Sequence, residues 1–296
     1  MGDKSQTSAE LWRARGEFMT VLGHSIFVVD EGAADLPTIL LLHGFPTSSW
    51  DWQPIWGELA KQYRLVALDM LGFGFSDKPN NRGYSIHGQA DIVDALVETM
   101  QLERFHVLAH DYGDTVAQEL LARQLEGSGN GIWLSCCFLN GGLFPETHHA
   151  LLTQRLLLSP IGGLVNRLAG YKGFCRNFSS VFGDNTKPTE QELQTFWQLI
   201  NINEGKHIFH NLITYMRDRI QHRERWVSAL QQSSIALGVI NGSIDPVSGA
   251  HMVERYQQLN CRLDYLAQLP RIGHYPQVEA PAQVLSHYQE YLKLVG

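Results

Sequence analysis

The sequence predicts an α/β fold built on a mostly parallel sheet with helices on its faces. Three observations predict it. Short continuous apolar runs, such as Ile39–Leu42 within Thr38-Ile-Leu-Leu-Leu-His43, suit strands buried on both faces. Segments with helical spacing separate them, as crossover connections between parallel strands require. The alternation is broken once, over residues 144–232, where helical patterns continue without a clear strand.

Taken in order, the first strands differ from the rest. Phe18–Leu22 and Ser25–Val29, joined at Gly23-His24, read as an antiparallel hairpin at a sheet edge. Central strands follow at Thr38–His43, Arg64–Asp69, Phe105–Asp111, Ile132–Leu139 and Ser234–Ile240. Ser85–Met100 sets Ile86, Ala90, Val93 and Val97 at three- and four-residue steps, the stripe of an amphipathic helix. Gly113–Leu125 and Pro281–Leu294 also read as helices. The stretch 144–232 carries Gly- and Pro-rich loops, Ser159-Pro160-Ile161-Gly162-Gly163 and 183–188. It reads as a helical domain inserted into a core made of 1–143 and 233–296.

Composition narrows the function. The chain has 296 residues, is 44% hydrophobic and carries a net charge of −7, enough for a sizeable core but with no electrostatic reason to bind nucleic acid or an anionic membrane. The densest basic cluster, Arg217–Arg225, is interleaved with acids and reads as a solvated helix face. Cys136, Cys137, Cys175 and Cys261 lack zinc-type spacing, so no metal is expected, and they read as small hydrophobes in a reducing compartment. No apolar leader and no span of ~20 apolar residues is seen. A cytoplasmic protein is expected, with a small apolar organic molecule as its partner.

The chemistry concentrates at Leu108-Ala109-His110-Asp111-Tyr112-Gly113-Asp114. This segment ends an apolar strand and opens a helix, the context of a nucleophile elbow. The sharp turn tolerates only small residues two positions to either side, and Ala109 and Gly113 supply them. The central position is Asp111, not a serine. A carboxylate is already ionised and can displace a leaving group at saturated carbon, leaving an alkyl ester for water to cleave. Leu42-His43-Gly44-Phe45-Pro46 follows the first central strand, and the backbone N–H groups of Phe45 and Tyr112 are the expected oxyanion donors. Later come Asp245, after a buried strand, and His274, in the loop before the last helix. The chain order is nucleophile, acid, base. Asp245 is expected to orient His274, and His274 to take a proton from water. His110 is expected to pack or hydrogen-bond beside the nucleophile, and Asp114 to support the loop.

His43-Gly44-Phe45-Pro46, Asp69-Met-Leu-Gly72-Phe-Gly74-Phe-Ser76, His110-Asp111-Tyr112-Gly113 and Gly273-His274-Tyr-Pro-Gln-Val-Glu279 together resemble the α/β-hydrolase superfamily, in its branch of epoxide hydrolases and haloalkane dehalogenases. The resemblance implies an α/β-hydrolase fold: an eight-stranded, mostly parallel sheet with flanking helices and a helical cap inserted after strand six. It also bears on the chemistry. Haloalkane dehalogenases usually have Asn after His-Gly and Trp after the nucleophile to hold halide. Here Phe45 and Tyr112 stand there. Epoxide hydrolases usually have two cap tyrosines that protonate the opening oxygen. Tyr215 is the candidate for one and Tyr171 for the other.

The sequence therefore points to a cofactor-free hydrolase opening an epoxide through an Asp111 ester. A haloalkane dehalogenase, with Trp50 or Trp52 holding halide, is the alternative. A ligand-binding protein on a hydrolase fold with little turnover is a third. Nothing in the sequence specifies an oligomeric state.

Overall fold

The computed structural model describes residues 7–81 and 83–296. Residues 1–6, the start of the expected core segment, and Arg82 lie outside the described residues. One eight-stranded sheet runs in the order β1-β2-β4-β3-β5-β6-β7-β8. Its strands are β1 Glu17–Val21, β2 His24–Glu31, β3 Thr38–Leu42, β4 Arg64–Leu68, β5 Arg104–His110, β6 Ile132–Leu139, β7 Ala236–Gly242 and β8 Tyr265–Leu269. The β1–β2 and β2–β4 pairings are antiparallel, and all others are parallel. The hairpin turn is Leu22-Gly23, one residue earlier than expected, and both residues have positive φ (48° and 78°). Such φ values suit the tight two-residue turn whose twist matches the strands it joins.

The apolar runs work as the two-face reading requires. Leu40, Leu42, Val66 and Leu68 belong to one hydrophobic layer, and Ile39, Leu41, Leu65 and Ala67 to the other. Side chains alternate with period two, so a strand apolar at every position feeds both cores. Crossover helices Ile86–Thr99 and Tyr112–Glu126 and the terminal helix Pro281–Val295 flank the sheet. Ser85 caps the first by accepting from Gly88 N.

Between β6 and β7 the described chain is helical: Leu152–Leu157, Gly162–Leu168, Tyr171–Ser179, Glu190–Asn201, Phe209–Leu212, Tyr215–Gln221 and Arg223–Gln232. The last of these packs back on the sheet side. Its Trp226 indole N–H donates to buried Glu119 at 2.8 Å, and Arg225 pairs with the same carboxylate. Parallel strands present their C-terminal ends together, so the loops after β3, β5 and β7 meet at one edge, where such sheets hold their ligands. Among the described residues, no helix is long and apolar enough to cross a membrane.

Candidate active site

Asp111 is the single residue between β5 and the helix Tyr112–Glu126. Its φ of 47° and ψ of −101° lie where non-glycine residues rarely sit. Neighbouring bonds hold it there: Asp111 N donates to Leu139 O at 3.2 Å, and Gly113 N donates to His43 O at 3.0 Å. A Cβ on Gly113 would stand 2.3 Å from Leu42 O, and one on Gly44 would stand 2.5 Å from His110 Nδ1. Glycine at both places lets the β3 loop close on the elbow. That approach brings Phe45 N–H to 3.1 Å from Asp111 Oδ2. No N–H of the following helix bonds to the Asp111 side chain. Of the two expected oxyanion donors, only Phe45 therefore meets the carboxylate.

Asp245 and His274 arrive from the ends of β7 and β8. His274 Nδ1 donates to Asp245 Oδ2 at 2.7 Å, while Nε2 stands 3.8 Å from Asp111 Oδ2. Asp245 also accepts from Val247 N (2.7 Å), Ser248 N (3.1 Å), Ser248 Oγ (2.8 Å) and Asn140 Nδ2 (3.0 Å). Burial opposes its ionisation, but the His274 charge and these donors win and hold its pKa low. Burial likewise disfavours a charged His274, yet Asp245 and Asp111 push its pKa well above the usual value. For Asp111, burial is again outweighed, by His274 and then by Arg219, so the carboxyl sits below the ordinary range. His110 Nε2–H donates to His274 O at 2.8 Å and pins the histidine loop. Burial lowers its pKa to about 3, so it stays neutral.

Asp111 and His274 line a cavity of about 400 Å³, whose walls include Phe45, Leu157, Val165, Phe178, Trp197 and Phe209. The helices between β6 and β7 supply most of these walls, so the cavity is mostly apolar, with Gln154, Asn166 and Asn177 as polar exceptions beside the carboxylate and the imidazole. Four expected site residues fall elsewhere. Trp50 packs edge-on against Phe196 at 4.9 Å and donates to Ser8 Oγ at 3.2 Å. Trp52 is wholly buried in the core. Neither lines the cavity, so neither is placed to hold halide. Tyr171 donates its hydroxyl to Glu190 at 2.7 Å on the outer side of the helices. Tyr215 is buried between Phe45 (5.9 Å) and Tyr112 (4.9 Å), and its hydroxyl has no hydrogen-bond partner. It stands behind Phe45 rather than on the cavity wall.

The sequence reading missed Arg219. The Arg217–Arg225 cluster is not uniformly solvated. Arg223 and Arg225 do pair with Glu146 and Glu126 near the surface. Arg219, by contrast, is 2% exposed and reaches the elbow. Its Nη2 donates to Asp111 O at 3.2 Å and lies 3.6 Å from Asp111 Oδ1. The available signal was spacing. Tyr215 and Arg219 are four apart and share a helix face, so a residue expected to point at the site brings Arg219 with it. Asn140 was also missed. With φ at 47°, it bonds Gly242 O and Asp245 Oδ2 at 3.0 Å each, tying the end of β6 to the acid. Among the described residues, no group of three or more His, Cys, Asp or Glu could hold a metal ion.

Comparison with known proteins follows the same lines. A family profile described as alpha/beta hydrolase fold matches residues 37–126. Over 293 residues the chain is 43% identical to the mesoderm-specific transcript protein of Mus musculus, covering 95% of this chain and 87% of that protein. The chain is an α/β-fold hydrolase of that family. This hydrolase is also 37% identical to the putative hydrolase LipZ of Mycobacterium tuberculosis, over 93% of this chain and 94% of LipZ. Its fold is similar to that of a haloalkane dehalogenase loop variant from Bradyrhizobium elkanii, with a TM-score of 0.80 at 21% identity, covering 95% of this chain and 96% of that one.

Proposed function

We propose that this hydrolase attacks a saturated carbon with Asp111 and resolves the resulting ester with water activated by His274. The observation that carries the reading is the placement of a buried, ionised carboxylate at an apolar cavity, with Phe45 N–H on Oδ2 and His274 Nε2 at 3.8 Å. A carboxylate needs no base in order to attack, so the histidine is free for the second step. Before attack, the charges of Asp245 and Asp111 favour the imidazolium. Esterification removes the Asp111 charge, and the proton leaves His274 more readily. The neutral imidazole can then take a proton from water, with Asp245 stabilising the charge that returns. The tetrahedral intermediate places negative charge on a former carboxylate oxygen. The Phe45 N–H can meet it, a donor of a kind worth ~2.7–4 kcal/mol.

An epoxide is the substrate class this reading favours. Ring opening leaves an oxygen that needs a proton, and His274, protonated at rest and lining the cavity, can give one and become the base for the next step. Phe45 and Tyr112 occupy the two positions where a halide-binding Asn and Trp usually stand. A haloalkane is the second reading, favoured by one observation: neither Tyr171 nor Tyr215 reaches the cavity to protonate an oxygen. The test uses His274→Gln with a panel of epoxides, haloalkanes and esters. One substrate equivalent should be added to the intact protein and map to Asp111. Diol formed by the wild type from the same compound then marks an epoxide, and released halide a haloalkane. An unmodified protein at saturating concentrations of every substrate that the wild type turns over would refute the two-step scheme.

A further inference from the structure

Arg219 is a buried charge whose counter-ion is the group expected to lose its charge during turnover. Among the described residues, Asp111 is the only carboxylate within 4.0 Å of the guanidinium. Its other contacts are neutral. Nε donates to Thr115 Oγ1 at 2.8 Å and Nη2 to Asp111 O at 3.2 Å, while Nη1 stands 3.4 Å from His148 Nδ1 and Cζ lies 4.5 Å over the Tyr215 ring. Burial holds His148 neutral, with its pKa lowered to about 3. Asp114, next to Thr115, does not serve as a second anion. It is fully buried, and neither carboxyl oxygen has a hydrogen-bond partner, a setting that keeps a carboxyl protonated. Burial and the nearby Asp111 charge both push its pKa up. The remaining titratable neighbours of Asp114 are His274, engaged with Asp245, and the Cys136 and Cys137 thiols, which burial keeps protonated. Burial likewise keeps the Tyr112 and Tyr215 phenols near Arg219 protonated.

We propose that Arg219 is a positioning residue for the second step. It grips the main chain of the elbow and makes the neutral, esterified form of Asp111 unfavourable, so the ester is hydrolysed rather than accumulated. This rests on the nucleophile reading above. In the resting site the guanidinium faces a carboxylate. In the ester it faces a neutral group inside a low-dielectric interior, where an unpaired charge is costly. When water adds to the ester carbonyl, negative charge returns to the oxygens of Asp111, one of which stands 3.6 Å from Nη2 at rest. The attraction is weakest in the ester and recovers in the transition state that leaves it. That difference accelerates a step, whereas uniform binding does not. The bonds balance. Ester formation makes one carbon–oxygen bond as the bond to the epoxide oxygen, or to halide, breaks and that atom keeps the electron pair, the epoxide oxygen taking a proton from His274. Hydrolysis adds water across the acyl carbon–oxygen bond and regenerates the carboxylate and one proton.

Two measurements test it, one with substrate and one without. In Arg219→Met with His274 intact, ester hydrolysis should slow at least tenfold while alkylation is unchanged or faster. The ester should then be visible by intact mass in steady state, where the wild type shows none. Arg219→Lys keeps the charge but loses the two-point grip, and it should fall between them. Without substrate, Asp111→Asn should lower the unfolding midpoint in the Arg219 protein, and by less than half as much in the Arg219→Met background. Should Arg219→Met fail to fold, Arg219→Gln replaces it in both arms. Additive midpoints overturn the proposal, because Arg219 then has no charge relation to Asp111. Coupled midpoints with both steps slowed equally also overturn it, because Arg219 is then only structural. If no ester forms in any variant, including His274→Gln, the nucleophile reading fails and the second-step role fails with it, while midpoint coupling still reports whether the two charges interact.

Discussion

The two halves of the site are built differently. The half made by strand ends is over-determined. Asp245 accepts four bonds besides that of His274, the elbow is fixed by main-chain bonds on both sides, and two glycines allow a contact that any Cβ would block. The half made by the helices between β6 and β7 is a mostly apolar wall, and neither of its two expected tyrosines lines the cavity. The difference teaches where each property should reside. Reaction chemistry belongs to the strand-end half, which Arg219 joins from the helix Tyr215–Gln221, and choice of substrate to the cavity wall.

Substitutions can break or sharpen that contrast. The largest effect is expected from Asp111→Asn, which should lower kcat by roughly a thousandfold or more, since an amide is a poor nucleophile. Activity in freshly prepared protein, checked by mass for conversion back to Asp, is the measure. Asp245→Asn should cost less, on the order of tenfold to a thousandfold. It should not multiply with His274→Ala, because residues acting as a unit are non-additive. Losses that multiply in the double variant would show the two acting separately.

On the other half, Trp197→Ala should shift KM and the preferred substrate size several-fold with little change in kcat, because it removes a wall and no chemistry. Kinetics across a homologous substrate series read this directly. Tyr215→Phe should change turnover by less than about threefold and leave stability unchanged or slightly higher, since it deletes a buried hydroxyl that has no partner. A hundredfold loss in alkylation would restore Tyr215 as a proton donor and blur the division between the halves.

The smallest effect lies in the sheet under the site. Burial lowers the His106 pKa to about 4, below its unfolded value near 6.5. The unfolded chain therefore binds this proton first, and stability falls as pH drops from about 6.5 toward 4. His106→Gln should remove up to one proton from that slope, ~1.4 kcal/mol per pH unit at most, as read by denaturant titrations at several pH values.

How much the sequence disclosed follows the same division. The strands were legible because β3 and β4 are apolar after their first residue, Thr38 and Arg64, and end in turn residues. The elbow was legible because its constraint is local: a small residue two positions either side of Asp111, after an apolar strand. Arg219 was not legible by charge, because the ions around it do reach the surface, and only its helix face sets it apart. Tyr171, Tyr215, Trp50 and Trp52 were expected at the site and do not line the cavity, for a related reason. Residue type shows that an aromatic ring is present, while the packing of short helices against one another decides which way it points. Asn140 was hidden because its task, joining β6 to Asp245 across 105 residues, leaves no local pattern.

The central proposal, a covalent ester at Asp111 cleaved at its carbonyl carbon, is tested most directly by a single turnover in H₂¹⁸O with enzyme in excess. Attack on the ester carbonyl places the water oxygen in the carboxylate. The peptide containing Asp111 should gain ¹⁸O, and the product should carry the old carboxylate oxygen and no label. Label in the product with none at Asp111 would mean that water attacks the substrate directly and that Asp111 is not the nucleophile.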